Sequence, residues 1–189
     1  MSNRNALVCI DLQVDFLDVD GRLPVDPAQA AQLLETVSSA VRTARHHSVP
    51  VVHVVNAFRR GSIANVFRGF AAIEGTPGAE LDPRSPAPRG SEPVFAKRTG
   101  SAFSNPEFVR WLSDHGVDEL LLCGVFAGGC VHATARSALA LGHRVHVLDG
   151  GVADRSGSSR LRALRRMRTR GASVVSALPI DGFATGERV

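Results

Sequence analysis

The chain has a single lysine, Lys97, against twenty-one arginines. It lies in Val94-Phe95-Ala96-Lys97-Arg98-Thr99-Gly100-Ser101-Ala102-Phe103. An ammonium is a compact point charge whose pKa moves readily on burial, unlike a guanidinium. A lysine kept where every other cation is arginine is therefore either an accident of composition or a chemical requirement. Cysteine is also scarce. Cys9, Cys123 and Cys130 form no C-x-x-C pair, which excludes a disulfide framework and leaves thiols, one of them a candidate for reactivity. No apolar run approaches the ~18–20 residues of a membrane helix. The opening Met1-Ser2-Asn3-Arg4-Asn5 lacks the layout of a secretory leader, so the chain reads as cytoplasmic. Acidic residues are missing from 155–170, which holds seven arginines. Outside that stretch the net charge of +4 becomes −3. The basicity is one patch, which argues against a general nucleic-acid binder.

What is present suits one globular domain spanning residues 1–189. The length allows a full core, and 44% hydrophobic and 21% charged residues are ordinary for a soluble protein. Ala6–Ile10 is an unbroken apolar run ending at Asp11, the pattern of a buried parallel strand. Pro27–His47 has helical spacing, with Asp26 as N-cap and Pro27 in the first turn. Pro50–Val55 reads as the second strand, Pro93–Ala96 as a third that delivers Lys97, and Val117–Cys123 as the fourth. His143–Leu148 and Ala172–Ser176 complete the set. Helices are expected from Asn105-Pro106 to His115, from Gly128 or Gly129 to Leu141, and from Ser158 to Arg170, stopped by Gly116, Gly142 and Gly171. Residues 57–92 are irregular and rich in Gly, Pro and Arg, with a short helix expected near Phe67–Ile73. So long a loop suggests a substrate or lid loop. Alternating strands and helices predict a three-layer α/β/α sandwich, Rossmann-like, around a mostly parallel six-stranded sheet.

In such sheets ligands bind beyond the carboxyl ends of the strands. Three reactive groups fall there: Asp11 after the first strand, Lys97 after the third, and Cys130 just past the fourth at a helix start. A helix N-terminus and a neighbouring cation both favour thiolate. Gly128-Gly129 would let backbone N–H groups crowd around a bound oxyanion.

The anchors Ile10-Asp11-Leu12-Gln13-Val14-Asp15-Phe16, Lys97 with Ser101-Ala102-Phe103, and Gly124-Val125-Phe126-Ala127-Gly128-Gly129-Cys130-Val131 occur in order. Thr134-Ala135-Arg136-Ser137-Ala138 and Gly142-His143-Arg144-Val145 fit as well. In these the chain resembles the isochorismatase-like cysteine hydrolases, a family that includes nicotinamidases, N-carbamoylsarcosine, ureidoacrylate and maleamate amidohydrolases, and streptothricin hydrolase. The resemblance runs from Ala6 to about Val175. It implies a catalytic triad of Asp11, Lys97 and Cys130. Cys130 would attack a carbonyl, Asp11 would carry the proton to the leaving amine, and Lys97 would keep Asp11 ionised. It further implies a cis peptide at Val125–Phe126, with the N–H groups of Phe126 and Cys130 as the oxyanion hole, and a homodimer or homotetramer.

The chain also departs from the family pattern. Ala127-Gly128-Gly129 stand where Thr-Asp is common. Asn56 and Phe58 stand where nicotinamidases place the Asp-x-His of a metal site, so no metal or other cofactor is expected. The cysteine favours cleavage of an amide, carbamoyl or ureido C–N bond through a thioester. Hydrolysis of an enol ether, or an idle scaffold that binds an acidic partner, are the alternatives. For the substrate pocket the candidates are Phe16, Phe58 and Phe126. Gln13 would either orient the substrate or brace a neighbouring loop. His132 is turned about 200° from Cys130 on a helix, which argues against a Cys–His dyad. The Arg155–Arg170 helix is read as a solvated face, a subunit contact, or a dock for an acidic macromolecule such as a carrier protein. It lacks the aromatics that single-stranded nucleic acid would need.

Overall fold

In a computed structural model, residues 5–178 are described, apart from the side chains of residues 64, 67 and 68. Six strands form one parallel sheet in the order β3-β2-β1-β4-β5-β6. They are β1 Asn5–Ile10, β2 Val51–Asn56, β3 Val94–Lys97, β4 Glu119–Val125, β5 Arg144–Ala153 and β6 Ser173–Val175. Chain order reverses direction between β1 and β4, so the switch point of the sheet lies where these two central strands end.

Every residue of β1 and of β4 is buried. Both faces are covered, which is why these strands read as continuous apolar runs. Leu7 and Cys9 join one core with Leu33, Val37 and Val41 of helix α2, Pro27–His46. Ala6, Val8 and Ile10 join the opposite core. Three helices supply the other side of that core: α3 Pro106–Asp114, α4 His132–Ala140 and α5 Gly157–Thr169, through Phe108, Ala135 and Met167 among others. The three layers follow from the two-residue period of the strands.

Local signals place the helix ends. The Asp26 carboxylate accepts from the Gln29 N–H with Pro27 in the first turn, and Asn105 caps α3 with Pro106 next to it. Ser156 caps α5, and Gly116 and Gly171 take the positive φ that follows α3 and α5.

The segment 57–92 is pinned to the sheet by single contacts. A four-residue helix, α1 Val14–Leu17, carries Asp15, whose buried carboxylate accepts from the Ala72 N–H at 2.8 Å and the Arg22 N–H at 3.3 Å. The Asp82 N–H donates to the Leu12 carbonyl at 2.9 Å. The short helix expected near Phe67–Ile73 lies earlier, as a 3-10 helix over Ile63–Arg68.

Two boundaries differ in ways that matter for the site. Strand β5 runs five residues beyond the expected Leu148, to Ala153. Asp149-Gly150-Gly151 reads locally as a stop, but these glycines remain in the strand because side chains fill the space around them. A Cβ on Gly151 would meet the Leu148 side chain at 2.7 Å, and one on Gly150 would meet Thr36 Oγ1 at 2.9 Å. The register shift between Leu122 and Gly124 then pairs Val125 with Ala153, which brings Asp154 and Arg155 to the end of β4. The second difference follows β4. The α-helix begins at His132, and Ala127–Val131 form a wider turn, closed by the Val131 N–H on the Phe126 carbonyl at 3.2 Å. Gly129 sits in this turn with φ −108° and ψ −108°, off helical values.

Candidate active site

The sheet brings four side chains together at the ends of β1, β2 and β3 and just past β4. Asp11 follows β1 with φ 55°, held there by its N–H on the Val54 carbonyl at 2.8 Å. Asn56 and Lys97 are register partners at the ends of β2 and β3. The backbone of β4 passes so close to β1 that a Cβ on Gly124 would lie 1.9 Å from the Ile10 carbonyl oxygen. Only glycine fits there. The Val125–Phe126 peptide that follows is cis.

Lys97 is among the largest fully buried side chains of the described residues. Its Nζ donates to Asp11 Oδ2 at 2.9 Å and to Asn56 Oδ1 at 2.7 Å. The Asn56 amide closes the ring: Nδ2 donates to the same Asp11 Oδ2 at 2.7 Å and approaches Cys130 Sγ at 3.7 Å. Asp11 Oδ1 is buried and, among the described residues, lacks a hydrogen-bond partner of normal geometry. One carboxylate oxygen is thus saturated while the other remains an open acceptor.

The protonation pattern follows from burial. Desolvation pushes the Asp11 carboxyl above its ordinary value, while the charge of Lys97, interaction with the Cys130 thiol and the hydrogen bond of Lys97 pull it back. An ammonium 2.9 Å away in a dry site favours the ionised partner. Cys130 is pushed up to about 12, first by burial and next by the negative charge of Asp11. These effects outweigh the opposing charge of Lys97. Burial and the charge of Asp11 thus oppose a thiolate at Cys130 more than Lys97 favours it. The helix start and Lys97 were expected to favour thiolate. Cys130 sits in the wide turn ahead of α4 rather than at a regular helix N-terminus, and the carboxylate beside it penalises a second negative charge.

Cys130 opens onto a cavity of about 460 Å³, bounded by Phe126 and Gly129 on one side and by Ser159, Arg162 and Arg166 of α5 on the other. Among the described residues, none of those lining it comes from 57–92. A neighbouring recess of about 790 Å³ along edge strand β3 includes Ala57 and Glu74 of that segment.

Three of the four pocket candidates lie elsewhere. Gln13 is buried and braces a loop: Oε1 accepts from the Asn56 N–H at 2.9 Å, and Nε2 donates to the Asn56 and Ala79 carbonyls at 2.8 and 2.6 Å. Both of its amide hydrogens are committed. Phe58 packs in the core with Ala71 and Ala72, and Phe16 is buried edge-on against Phe126, with centroids 5.5 Å apart. Only Phe126 faces the cavity. His132 lies away from the thiol, its Nε2 3.5 Å from Arg170.

Asn56 was noticed in the sequence only as a missing metal ligand. Its signal is the one that marks Asp11 and Lys97, a polar side chain closing an apolar strand. The cavity wall on α5 carries a weaker signal, arginines at the i, i+4 spacing of 162 and 166. A metal of the nicotinamidase type does not fit here. Both ends of the Asn56 side chain are committed to Asp11 and Lys97, Phe58 has no donor atom, and the described residues contain no group of three or more His, Cys, Asp or Glu placed to hold an ion. No helix among the described residues is long and apolar enough to cross a membrane.

Comparison with known proteins agrees with this geometry. A family profile described as isochorismatase domain matches residues 5–178. Streptothricin hydrolase of Streptomyces noursei is 36% identical over 141 residues, 74% of this chain and 46% of that protein, so the chain spans about half the length of that relative. The N-carbamoylsarcosine amidase of Thermoplasma acidophilum superposes with a TM-score of 0.82 at 26% identity, covering 94% of this chain and 99% of that one. The pyrazinamidase of Pyrococcus horikoshii, solved in complex with zinc, gives 0.81 at 26% identity, covering 91% and 98%.

Proposed function

This chain belongs to the isochorismatase family of hydrolases, and from that premise we propose that it is a cysteine amidohydrolase, cleaving a C–N bond of a small amide, carbamoyl or ureido substrate without a metal. The observation that carries this reading is the buried ring of Asp11, Lys97 and Asn56 beside a neutral thiol, with Asp11 Oδ1 left open as an acceptor.

The thiol cannot act alone, because at about 12 its thiolate is scarce at neutral pH. Activation therefore accompanies attack. As Cys130 Sγ bonds to the substrate carbonyl carbon, its proton passes to Asp11 and the carbonyl oxygen becomes the oxyanion, held by the N–H groups of Phe126 and Cys130. Asp11 then returns the proton to the leaving nitrogen, the C–N bond breaks, and the acyl group remains on sulfur as a thioester. Water attacks the thioester with Asp11 again taking a proton. The thiolate leaves and is reprotonated, releasing the acid. Lys97 holds a compact positive charge against Asp11 throughout, and Asn56 fixes the carboxylate through its amide. A donation from its Nδ2 also stabilises sulfur as negative charge develops there.

The test is ammonia release from a panel of small amides and carbamoyl compounds by the wild type and by Cys130→Ala, with intact-mass detection of an acyl group on Cys130. Turnover lost in the variant and an acyl adduct in the wild type are expected. Release of pyruvate from an enol ether, undiminished in Cys130→Ala, would replace this reading with ether hydrolysis.

A further inference from the structure

Four of the seven arginines of 155–170 differ in how their charge is met. Arg160 is neutralised by Asp149, as Arg45 is by Glu92, Arg84 by Asp82 and Arg144 by Glu119. Arg155, Arg162 and Arg166 line the cavity that opens on Cys130, and among the described residues no carboxylate pairs with any of them. Arg155 lies over the Phe126 ring, 5.9 Å from its centroid. Arg162 reaches only the Ser159 hydroxyl, at 3.1 Å.

The one acid on the cavity is already committed. Asp154 is buried, with Oδ2 accepting from the Gly128 N–H at 2.7 Å and Oδ1 from the Arg155 N–H at 2.8 Å. Three guanidinium groups against one carboxylate leave the lining with a net charge of two positive. A second observation points the same way. His132, on the neighbouring helix, is pushed below its ordinary pKa by burial and then by the charges of Arg170, Arg136 and Arg166. Arg166 thus adds to the positive charge that His132 meets. Converging guanidinium groups repel one another until an oxyanion enters, and their planar forks match carboxylate and phosphate oxygens.

A cavity of about 460 Å³ suits a small molecule rather than a polymer. Arg162 and Arg166 are four residues apart on α5, so they present neighbouring guanidiniums on one face, about 6 Å apart along the axis. Arg155, over the Phe126 ring, lines the same space.

We propose that Arg162 and Arg166 form an anion seat distal to Cys130, so that the substrate is a small amide or carbamoyl compound with two anionic groups, one read by Arg155 and one by this pair. The inference rests on the amidohydrolase reading for the word substrate, but its binding test needs no turnover. The seat recognises oxyanions as such, carboxylate or phosphate.

The experiment is calorimetric binding to Cys130→Ala of propionamide, N-carbamoylglycine, N-carbamoylaspartate and N-carbamoyl-O-phosphoserine, at low and moderate salt. Affinity should rise with each anionic group, by tenfold or more from the monoanion to either compound with two such groups, and the gain should shrink with salt. Comparing these two compounds separates carboxylate from the more highly charged phosphate as the preferred tail. Arg162→Gln with Arg166→Gln should erase the advantage of the second anionic group and leave the monoanion's affinity within twofold. Arg165→Gln with Arg168→Gln, an equal loss of charge on the same helix but outside the cavity lining, should leave the whole series unchanged. Equal or undetectable affinity across the series would overturn the proposal. So would an effect of this control pair as large as that of Arg162→Gln with Arg166→Gln, which would mark the helix as a diffuse basic face for an acidic macromolecule. A series that binds in the expected order while the wild type releases no ammonia would sink the amidohydrolase reading and leave the anion seat standing.

Discussion

A neutral resting thiol has a measurable consequence that separates it from the thiolate commonly assumed for a nucleophilic cysteine. Burial and the Asp11 charge raise Cys130 from an ordinary 9.0 to about 12. At pH 7.5 that leaves about three thiolates in 100,000, against about 3% for an unshifted thiol, a difference of about 1,000-fold. A more basic thiolate is also a better nucleophile. With a Brønsted slope of about 0.4–0.5, three decades of basicity return about 20-fold. Alkylation of Cys130 by iodoacetamide should therefore run about 50-fold slower than that of an exposed thiol at pH 7.5. Its rate should climb tenfold per pH unit from 7 to beyond 10 without a plateau. Slow alkylation is then compatible with an active enzyme. Asp11→Asn sharpens the test, because activation and resting acidity predict opposite signs. Removing the carboxylate leaves the charge of Lys97 unopposed, so alkylation at pH 7.5 should speed up by tenfold or more. Ammonia release, robbed of its proton carrier, should fall by about 100- to 10,000-fold. A melting curve should accompany the measurement, since an unpaired buried Lys97 costs about 3–5 kcal/mol. A plateau in the alkylation profile between pH 6 and 8, or an Asp11→Asn variant slowed in alkylation as much as in turnover, would refute the reasoning. Either result would mean that Asp11 makes a thiolate at rest.

Two further predictions concern the ring around Asp11. Lys97→Arg keeps the charge but forces a larger, forked group into a space with no exposure. It should cost about 1–3 kcal/mol of stability by overpacking and lower kcat/KM by about 100-fold or more, measured by ammonia release. Near-normal activity would return Lys97 to an accident of composition. Asn56→Ala strips one partner each from Asp11 and Lys97. It should lower the melting temperature in line with a loss of about 1–3 kcal/mol for buried groups left unsatisfied, and should reduce kcat while leaving KM within about threefold.

Much of this architecture is local chemistry and was legible without coordinates. The unbroken apolar runs of β1 and β4, the caps Asp26 and Asn105 and the stops Gly116 and Gly171 each act within a few residues. Their alternation is enough for a layered α/β fold with Asp11, Lys97 and Cys130 at one edge. What escaped that reading depended on neighbours distant in the chain. Gly150-Gly151 looks like a turn and is strand, because Leu148 and Thr36 occupy the space above each glycine. That continuation places Arg155 beside the cysteine. Gln13 and Phe58 looked suited to touch substrate, but the packing of 57–92 against β1 and β2 buried both.

The sequence by itself determined that one lysine, one aspartate and one cysteine would stand at strand ends, because period and punctuation are properties of short segments. Only the tertiary structure decided what those groups are. It supplied Asn56 as the fourth member through the β2–β3 register, pushed the thiol's pKa up by burying it against a carboxylate, and turned Arg155 and two arginines of α5 into part of the wall of the thiol's cavity. Desolvation and charge pairing depend on distances across the sheet, and no local pattern of residues encodes them.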